Sequence, residues 1–447
     1  QPTPDVPWDL KRLVHLHRRA GFAATWGEIR RDLADGPTAS IDRVLNGRSR
    51  IAGVPEGFEA ASEEIGQAAE ISQDPERLKA WWFYRILCSP DPLSERLTLM
   101  WHNHFATSNF KVNNLPVMRR QNQVFRRLGR AKFGELLSAV LHDPAVLVWL
   151  DAPSNRAGAP NENLARELME LFTLGAGSFT ETDVKEAARA LTGWSVSDAG
   201  FVFRPEWHDA GTKTILGQTG QWDGDDLVRI LGAHVATSHR LAWRICHTFM
   251  GENVADSAAI ELLAIRLRET ELDLGSAIER VLRSKLFFSD QNIRTQVAGP
   301  VEFLSGAVHA LERFDPPPST LVLAEWSQRL GQDLFYPPNV GGWSDGRAWL
   351  STRTVIARAN FASALVRGEL NLSPAPPDLW AIAHSAGRAK DIRDAISFFH
   401  ELFTGEPAAK DVLDALYRAC AQEAAHETDQ LANAVALLLA CPESQLA

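Results

Sequence analysis

Helical spacing of apolar residues extends along almost the whole chain and limits what the chain can fold into. We expect helices over residues 8–20, 25–35, 75–88, 92–102, 117–130 and 133–142. Asp91 and Pro92 support this assignment, because an N-cap residue followed by a first-turn proline is typical of a helix start. Thr180 and Asp183 form a predicted capping box for a helix that ends at Gly193. The pattern predicts a mainly α-helical globular fold, a multi-helix array.

Two segments depart from the helical pattern. Residues 195–223 contain two short apolar runs, at 201–203 and 214–217, separated by glycine and aspartate, which is typical of a small β-hairpin or a long loop. Residues 335–343 contain paired prolines and paired glycines and cannot form a regular helix. Loops of this kind in a helical protein often carry binding residues.

The chain has 447 residues, which exceeds the usual size of a single core. We expect an N-terminal helical lobe over 1–150, a central lobe over 151–235 with the motif-bearing helices and the hairpin or loop, and a C-terminal helical lobe over 236–447. The C-terminal lobe contains a weak internal duplication, because 249–287 and 403–443 both have the pattern of helix, glycine turn, helix and helix.

Composition limits the partners and the location of the protein. The net charge is −10, so we expect no nucleic-acid partner. No apolar run is long enough to span a bilayer, so we expect no transmembrane segment. The sequence begins at Gln1 rather than methionine, so either an export signal has been removed or the start is engineered. We expect an exported protein, periplasmic or extracellular.

Residues 161–175 combine three carboxylates, two amides and a guanidinium in a strong helix former. On an α-helix Leu164, Leu168 and Phe172 share one apolar face, and Glu167 lies at its edge. A carboxylate there must be paired, hydrogen-bonded or metal-bound, because burying it alone is costly. Glu167 is therefore the main candidate for an acid, a base or a metal ligand.

The same helix offers further candidates and an alternative. We predict a catalytic role for Glu170 beside Glu167, and substrate binding by Asn163 and Arg166. The alternative is a surface ion-pair ladder, because Glu162, Arg166 and Glu170 are spaced i, i+4. The ladder accounts for Arg166 but leaves Glu167 unexplained, unless a cation of the next helix neutralises it.

His102 and His104 form a His-x-His pair in an otherwise apolar segment. Such a pair chelates a metal from an extended segment, where both imidazoles converge. On a continuous helix His104 lies in the apolar face and His102 lies outside it, so a joint metal site requires the helix to end near Trp101. The alternative is one core histidine and one solvent-exposed histidine. A divalent metal bound by His102 and His104, with Glu167, is one prediction.

The segment 207–213 places an imidazole, a carboxylate and an ammonium group in one loop. His208 could act as a base, Asp209 could orient it and Lys213 could stabilise charge, although a surface loop also contains such residues without a role. Among the 14 tryptophans, Trp194 and Trp343 are candidate stacking walls for a sugar ring. Asn339 is a further candidate for substrate binding.

Six long segments together resemble one known family. They are 15–25 (HLHRRAGFAAT), 95–108 (ERLTLMWHNHFATS), 161–175 (NENLARELMELFTLG), 183–194 (DVKEAARALTGW), 208–220 (HDAGTKTILGQTG) and 335–361 (FYPPNVGGWSDGRAWLSTRTVIARANF). The sequence is similar to the bacterial domain-of-unknown-function family 1800. The resemblance implies a mostly helical bacterial protein, often exported and often encoded beside sulfatase-like proteins, and it supplies no established reaction.

We expect an exported enzyme, a hydrolase or modifying enzyme that acts on a glycan or another small molecule. Its carboxylate and histidine site could bind a divalent metal, and no other cofactor is indicated. One alternative is a non-catalytic helical scaffold that binds a sulfatase-like partner, and another is a redox metalloprotein. The enzyme hypothesis requires Glu167, His102 or His104, and His208 to lie close together around a cavity.

Overall fold

The structure is a computed structural model that describes residues 7–50, 53–312, 314, 316–423 and 426–447. Within these ranges it contains 22 α-helices and two small two-stranded sheets, which confirms the predicted mainly α-helical fold. None of the helices in the described ranges is long and apolar enough to cross a membrane.

Nine α-helices precede the central segment. They are α1 (Leu10–Ala20), α2 (Trp26–Leu45), α3 (Phe58–Ser72), α4 (Pro75–Cys88), α5 (Pro92–His104), α6 (Asn109–Val112), α7 (Leu115–Leu128), α8 (Phe133–Leu141) and α9 (Pro144–Trp149). Helix α5 begins at a side-chain N-cap, because the Asp91 carboxylate accepts a hydrogen bond from the Ser94 N–H at 3.0 Å. It continues without a break to His104 and does not end near Trp101, as a joint histidine site would require.

The central segment contains three α-helices, one π-helical turn and both sheets. The helices are α10 (Asn163–Glu167), continued as a π-helix over Leu168–Thr173, α11 (Glu181–Ala190) and α12 (Gly224–Ala233). The strands are β1 (Trp194–Ser197), β2 (Gly200–Phe203), β3 (Lys213–Ile215) and β4 (Gln218–Gly220). Strand β1 pairs with β2 and β3 pairs with β4, both antiparallel. Residues 195–223 therefore contain two hairpins, where the sequence predicted one hairpin or a long loop.

Ten α-helices complete the chain. They are α13 (Val235–Met250), α14 (Ser257–Glu269), α15 (Leu274–Leu282), α16 (Pro300–Ala310), α17 (Thr320–Arg329), α18 (Thr352–Val366), α19 (Leu379–Ser385), α20 (Ile392–Thr404), α21 (Lys410–Glu423) and α22 (Glu427–Ala440). Gly251 and Gly405 follow α13 and α20 with φ angles of 72° and 77°, a conformation that favours glycine. In the structure two further α-helices follow each of these glycines, and the internal duplication stays a prediction.

A single cluster of buried apolar side chains connects the three predicted lobes. It includes Trp82 of α4, Leu168 of the π-helix and Phe361 of α18, each 0 % exposed. Helix α1 contacts α2, α5, α13 and α20, so it joins the N-terminal and C-terminal helices. The boundaries of the three lobes stay a prediction, since this core is continuous across them.

Candidate functional site

A polar pocket opens between α5, α13, the start of α16 and residues 332–349. Its accessible volume is about 70 Å³, several times the 10–15 Å³ that one water molecule needs. The residues that line it are Arg96, Leu99, Met100, Asn103, Arg244, His247, Thr248, Gln296, Val297, Gly299, Glu302, Gln332, Ser344, Asp345, Gly346 and Trp349. We call this site the polar pocket.

Helix periodicity explains how α5 and α13 present side chains to the polar pocket. Arg96 and Asn103 are spaced i, i+7 on α5, and Leu99 and Met100 lie between them on the same face. Arg244 and His247 are spaced i, i+3 on α13. Two helices that are distant in sequence therefore supply the charged wall.

Asn103 holds the irregular segment 335–343 against α5. Its Oδ1 accepts a hydrogen bond from the backbone N–H of Trp343 at 2.7 Å. Gly342 has a φ of +89°, and a Cβ at this position would lie 2.1 Å from Asn103 Oδ1. The approach of the two backbones therefore requires glycine, and it brings two of the resembling segments together.

Two ion pairs lie in the wall of the polar pocket. Arg96 of α5 pairs with Glu302 of α16. His247 Nε2 lies 2.9 Å from Asp345 Oδ2, and the imidazole stacks on Trp243 with the ring centroids 4.9 Å apart. The hydrogen bond with His247 holds the pKa of Asp345 below its usual range. Arg96 and Glu302 thus compensate each other, and the Asp345 carboxylate bonds to the His247 imidazole.

Arg244 is a cation of the polar pocket that has no hydrogen-bond or salt-bridge partner among the described residues. In the described part of the chain its guanidinium makes no hydrogen bond and no salt bridge, and its Nε is buried. Burial and then the charge of Arg240 lower the pKa of Arg244 to about 10, while Asp345 opposes the shift. Arg244 is still cationic at neutral pH.

Several arginines beside the polar pocket share a single carboxylate. Glu302 is paired with Arg96. Its charge also opposes the lowering of the pKa values of Arg18, Arg19 and Arg358 that burial causes. Arg19 is 0 % exposed, and its Nε and Nη1 have no hydrogen-bond partner among the described residues. Burial and the charge of Arg96 lower the pKa of Arg19 to about 9. The region around Glu302 therefore carries an excess of positive charge.

His102 lies among aromatic rings. The helical spacing predicted that it would lie outside the apolar face, which is wrong. It is 0 % exposed, and its ring centroid lies 4.6 Å from Trp82 and 4.8 Å from Phe125. Neither ring nitrogen has a hydrogen-bond partner in the described residues. Burial and the charge of Arg126 lower its pKa to about 3, so the imidazole is neutral.

His104 is buried as predicted, and it contacts the π-helix. Its Nε2 donates a hydrogen bond to the carbonyl oxygen of Phe172 at 3.0 Å. Burial and the charges of Arg244 and Arg240 lower its pKa well below the usual value. The described residues contain no group of three or more histidine, cysteine, aspartate or glutamate side chains that could hold a metal ion. The predicted joint metal site of His102, His104 and Glu167 therefore has no counterpart in them.

Glu167 and Glu170 lie half-buried on the segment where the α-helix becomes a π-helix. In the part of the chain that the structure describes, neither carboxylate has a hydrogen bond or salt bridge. Burial and then the charge of Glu170 raise the pKa of Glu167. A π-helix bonds i to i+5, so the α-helical wheel does not apply to Glu170.

Arg166 and Asn163 bind other protein groups. Arg166 pairs with Glu162 at 3.0 Å, as the ladder alternative predicted, and with Glu181 of α11 at 2.7 Å rather than with Glu170. Asn163 Nδ2 donates to the Asp151 carboxylate at 3.1 Å. The structure thus shows one half of the predicted ladder.

His208, Asp209 and Lys213 lie together at the C-terminal end of α11. His208 Nδ1 lies 2.9 Å from the carbonyl oxygen of Thr192. Arg189 donates two hydrogen bonds to Asp209, at 2.7 and 3.1 Å, and these bonds lower the pKa of Asp209 to about 2. Lys213 is 1 % exposed, and its ammonium donates to the backbone carbonyls of Asp209 and Gly211. These contacts fix the loop to α11.

The two predicted stacking tryptophans are largely buried. Trp194 is 3 % exposed and packs on His142 and Phe201. Trp343 is 4 % exposed, and its Nε1 donates to the carbonyl oxygen of Asp333 at 3.1 Å. Asn339 is exposed, and its Oδ1 accepts a hydrogen bond from the Gly341 N–H.

The structure brings the predicted segments together in a different way from the one expected. Segment 335–343 meets α5 through Asn103, and the π-helix meets α5 through His104. None of the predicted site residues is among those that form the polar pocket, and their predicted roles stay predictions.

Sequence reasoning missed the residues of the polar pocket. Arg240, Trp243, Arg244 and His247 are spaced i, i+3, i+4 and i+7 on α13, between buried apolar residues. A cationic and aromatic stripe at this spacing was the available signal. Asn103 lies between His102 and His104, and the sequence pattern predicted a role only for the two histidines.

The fold and the site define a mainly helical protein with a polar pocket lined by Arg96 and Arg244. Residues 15–446 match the model of DUF1800, a family described as protein of unknown function, and the chain belongs to this family. The comparisons with curated proteins and with solved structures found no match.

Proposed function

We propose that the protein binds the anionic group of a small molecule or a saccharide in the polar pocket. The observation that carries this proposal is Arg244, which lines the pocket and makes no hydrogen bond or salt bridge to an acidic side chain among the described residues. Arginine is well suited to such a role, because its planar fork donates paired hydrogen bonds to carboxylates, sulfates and phosphates.

The charges around Arg244 support the same proposal. Glu302 is shared by several arginines, and a buried cation without a counter-ion is costly. An anion in the polar pocket would reduce that cost. The whole chain carries a charge of −10, so the excess of arginine beside the polar pocket is the feature that would attract an anion.

Asn103 supplies a second donor at the same place. Its Oδ1 is used by the Trp343 N–H, and its Nδ2 has no hydrogen-bond partner among the described residues. A guanidinium and an amide N–H from two helices are a suitable pair for an oxyanion. The pocket volume of about 70 Å³ admits a small anionic group while a larger ligand extends outwards.

Isothermal titration of the full chain with acetate and with sulfate tests the proposal. We expect both anions to bind, and Arg244→Gln to weaken binding by about tenfold or more, which corresponds to about 1.4 kcal/mol. Arg266→Gln is the matched control, because Arg266 is an exposed arginine on the neighbouring helix α14. Equal binding by wild type and Arg244→Gln, or no binding at all, would contradict the proposal.

A second candidate function is glycan hydrolysis by the Glu167 and Glu170 pair. One observation favours it: Glu167 has a raised pKa and no hydrogen-bond partner in the described residues. A carboxyl group with a raised pKa beside a second carboxylate is the usual apparatus of a glycosidase. The pair lies half-buried on the helix and outside the polar pocket.

Release of reducing ends from a panel of polysaccharides tests this second candidate. We expect Glu167→Gln to reduce turnover by about 100-fold or more. Glu162→Gln, a change on the same helix that removes an ion pair with Arg166, is the control and should leave turnover within about twofold. Unchanged turnover in Glu167→Gln would exclude the catalytic role.

Export and a sulfatase-like partner are further proposals that rest on the family resemblance. Export and a sulfatase-like partner would both suit a protein that binds an anionic saccharide. Detection of the protein in the periplasm or medium of its own cells tests the first, and co-purification with a sulfatase-like protein tests the second.

A further inference from the structure

We infer that the polar pocket hydrolyses an ester bond in the molecule whose anionic group it binds, with His247 as the general base. This inference rests on the proposed function and names its substrate class, an ester that also carries an anionic group. It is carried by three groups that line the same pocket: the His247 imidazole, the Arg244 guanidinium and the Asn103 amide.

His247 has one ring nitrogen bound and the other free. Its Nε2 lies 2.9 Å from Asp345 Oδ2. The hydrogen bond with His247 holds the pKa of Asp345 below its usual range, so the carboxylate is ionised and Nε2 carries the proton. Nδ1 of the neutral imidazole is then the basic nitrogen, and it makes no hydrogen bond among the described residues. A carboxylate that orients an imidazole in this way is typical of a general base.

One indole ring places His247 beside the anion-binding residue. The imidazole stacks on Trp243 with the ring centroids 4.9 Å apart, and Arg244 Cζ lies 5.3 Å from the centroid of the same indole. Asp345 is close to both residues, since it bonds to His247 and its charge opposes the lowering of the pKa of Arg244. An anionic group held by Arg244 therefore brings the rest of the same molecule next to the imidazole.

The Asn103 amide reaches this place through residues 343–345. Asn103 Oδ1 accepts a hydrogen bond from the Trp343 N–H at 2.7 Å, and His247 bonds to Asp345, two residues further on. Two residues of chain span at most about 7 Å, so the two contacts lie on one short stretch. Asn103 Nδ2 has no partner among the described residues, so its N–H groups are available to a carbonyl oxygen.

These groups supply what hydrolysis of an ester by water requires. A water molecule gives a proton to His247 Nδ1 while its oxygen bonds to the acyl carbon, and Asn103 Nδ2 donates to the carbonyl oxygen as that atom gains negative charge. The bond between the acyl carbon and the alcohol oxygen then breaks, and His247 returns the proton to the alcohol. The products are a carboxylic acid and an alcohol, and water is the only co-reactant.

Matched esters test the inference with the full chain. 3-Acetoxybenzoate and 4-acetoxybenzoate carry a carboxylate that phenyl acetate lacks, and the rigid ring keeps it away from their own ester bond. We expect kcat/KM for the better acetoxybenzoate to exceed that for phenyl acetate by about tenfold or more, the contribution of one bound anionic group. Faster hydrolysis of acetylated polygalacturonate than of either acetoxybenzoate identifies a saccharide as the source of the ester, and the reverse order identifies a small molecule.

His247→Gln separates the base from the fold, because a glutamine amide can donate to Asp345 but cannot take up a proton. We expect it to reduce kcat by about 100-fold or more and to leave sulfate binding, measured by isothermal titration, within about twofold. Arg244→Gln should instead raise KM and weaken sulfate binding. His239→Gln is the matched control, because His239 lies on the same helix, outside the pocket, with its Nε2 2.8 Å from the Glu261 carboxylate.

Asp345 acts through His247 and is a positioning residue. Asp345→Asn should lower kcat by about tenfold or more at an unchanged KM, whereas a displaced loop would raise KM as well. Wild type that binds sulfate but hydrolyses none of the esters overturns the inference while the proposed function stands. Equal rates on phenyl acetate and the acetoxybenzoates, or full turnover in His247→Gln, also contradict it. Absence of sulfate binding by wild type overturns the proposed function itself.

Discussion

Asn103 connects α5 to a segment far away in the chain. Its Oδ1 accepts a hydrogen bond from the Trp343 N–H at 2.7 Å, which determines where segment 335–343 lies. Asn103 attracts less notice in the sequence than the histidines on either side of it. It nevertheless positions the loop that carries Ser344 and Asp345 into the polar pocket.

Removal of the Asn103 amide should therefore destabilise the protein. We expect Asn103→Ala to lower the free energy of unfolding by about 1–3 kcal/mol, because the Trp343 N–H loses its acceptor. Urea denaturation measures this change. Asn339→Ala removes a bond to the Gly341 N–H at an exposed position and should cost under about 1 kcal/mol. Equal losses in the two variants would show that Asn103 does not hold the loop.

For single residues, the sequence predicts the partial burial of Glu167 but not the contacts that bury His102. Glu167 was expected at the edge of the apolar face, and the structure places it half-buried there. His102 was expected outside that face and is fully buried. The difference arises because Phe125 and Phe335 come from other elements and cover the second face of α5. The spacing within one helix contains no information about such neighbours.

The π-helix Leu168–Thr173 changes the course of the central helix, and neighbouring side chains bond to its carbonyl groups. Thr173 Oγ1 donates to the Leu168 carbonyl at 2.6 Å, and His104 Nε2 donates to the Phe172 carbonyl at 3.0 Å. Carbonyl groups without helical partners need such donors when they are buried. The π-helix is therefore stabilised by one side-chain bond within it and by a tertiary contact with α5.

A conservative change at Thr173 tests this account of the π-helix. We expect Thr173→Val to lower the free energy of unfolding by about 1–3 kcal/mol, because it retains the shape and removes the bond to the Leu168 carbonyl. Thr270→Val removes a similar bond, at 3.0 Å, to the Arg266 carbonyl at the end of α14, where water can replace it. A loss no larger than that of this control would mean that the Thr173 bond contributes nothing.

The sequence predicts the helices far better than this local irregularity. The capping box of Thr180 and Asp183 is present, and α5 begins after its predicted N-cap, Asp91. The leucines of 164–171 fit an α-helical wheel, so nothing in their spacing indicates a π-helix. One of the donors that stabilise it, His104, lies on α5, and the local sequence contains no information about that contact.

The whole molecule should lose stability in acid because it buries neutral histidines. Burial lowers the pKa of His102 to about 3 and those of His15 and His104 well below 6.5. Between these values the unfolded chain binds protons that the folded chain does not, so stability falls as the pH drops below about 6.5. Asp143 acts in the opposite direction, since burial raises its pKa to about 7 and its contribution is lost as the pH rises towards that value.

A single variant isolates the His102 contribution to this pH dependence. Between pH 7 and pH 5, His102→Phe should lose about 2 kcal/mol less free energy of unfolding than wild type, because one proton-binding group has been removed from the unfolded chain. Denaturation curves at the two pH values measure the difference. His384→Asn changes an exposed histidine and should follow wild type. An unchanged pH dependence in His102→Phe would show that His102 is not held neutral.

At the scale of the whole chain, the fold class follows from the sequence and the polar pocket does not. Helical spacing is a local property, so it predicts the helices directly. The pocket is formed by residues near 96–103, 244–248, 296–302 and 332–349, which become neighbours only after folding. The stripe on α13 contains Arg244, but the sequence does not show that its guanidinium makes no hydrogen bond or salt bridge among the described residues.

The central claim is that the polar pocket binds an anion at Arg244, and anomalous diffraction from crystals grown with selenate tests it most directly. Selenate is a tetrahedral oxyanion, and its selenium is located without assumptions about the protein. We expect the strongest anomalous peak within about 4 Å of the Arg244 guanidinium, near Asn103, the separation of a bidentate arginine–oxyanion pair. Peaks only at exposed arginines on the surface, with none in the polar pocket, would contradict the account.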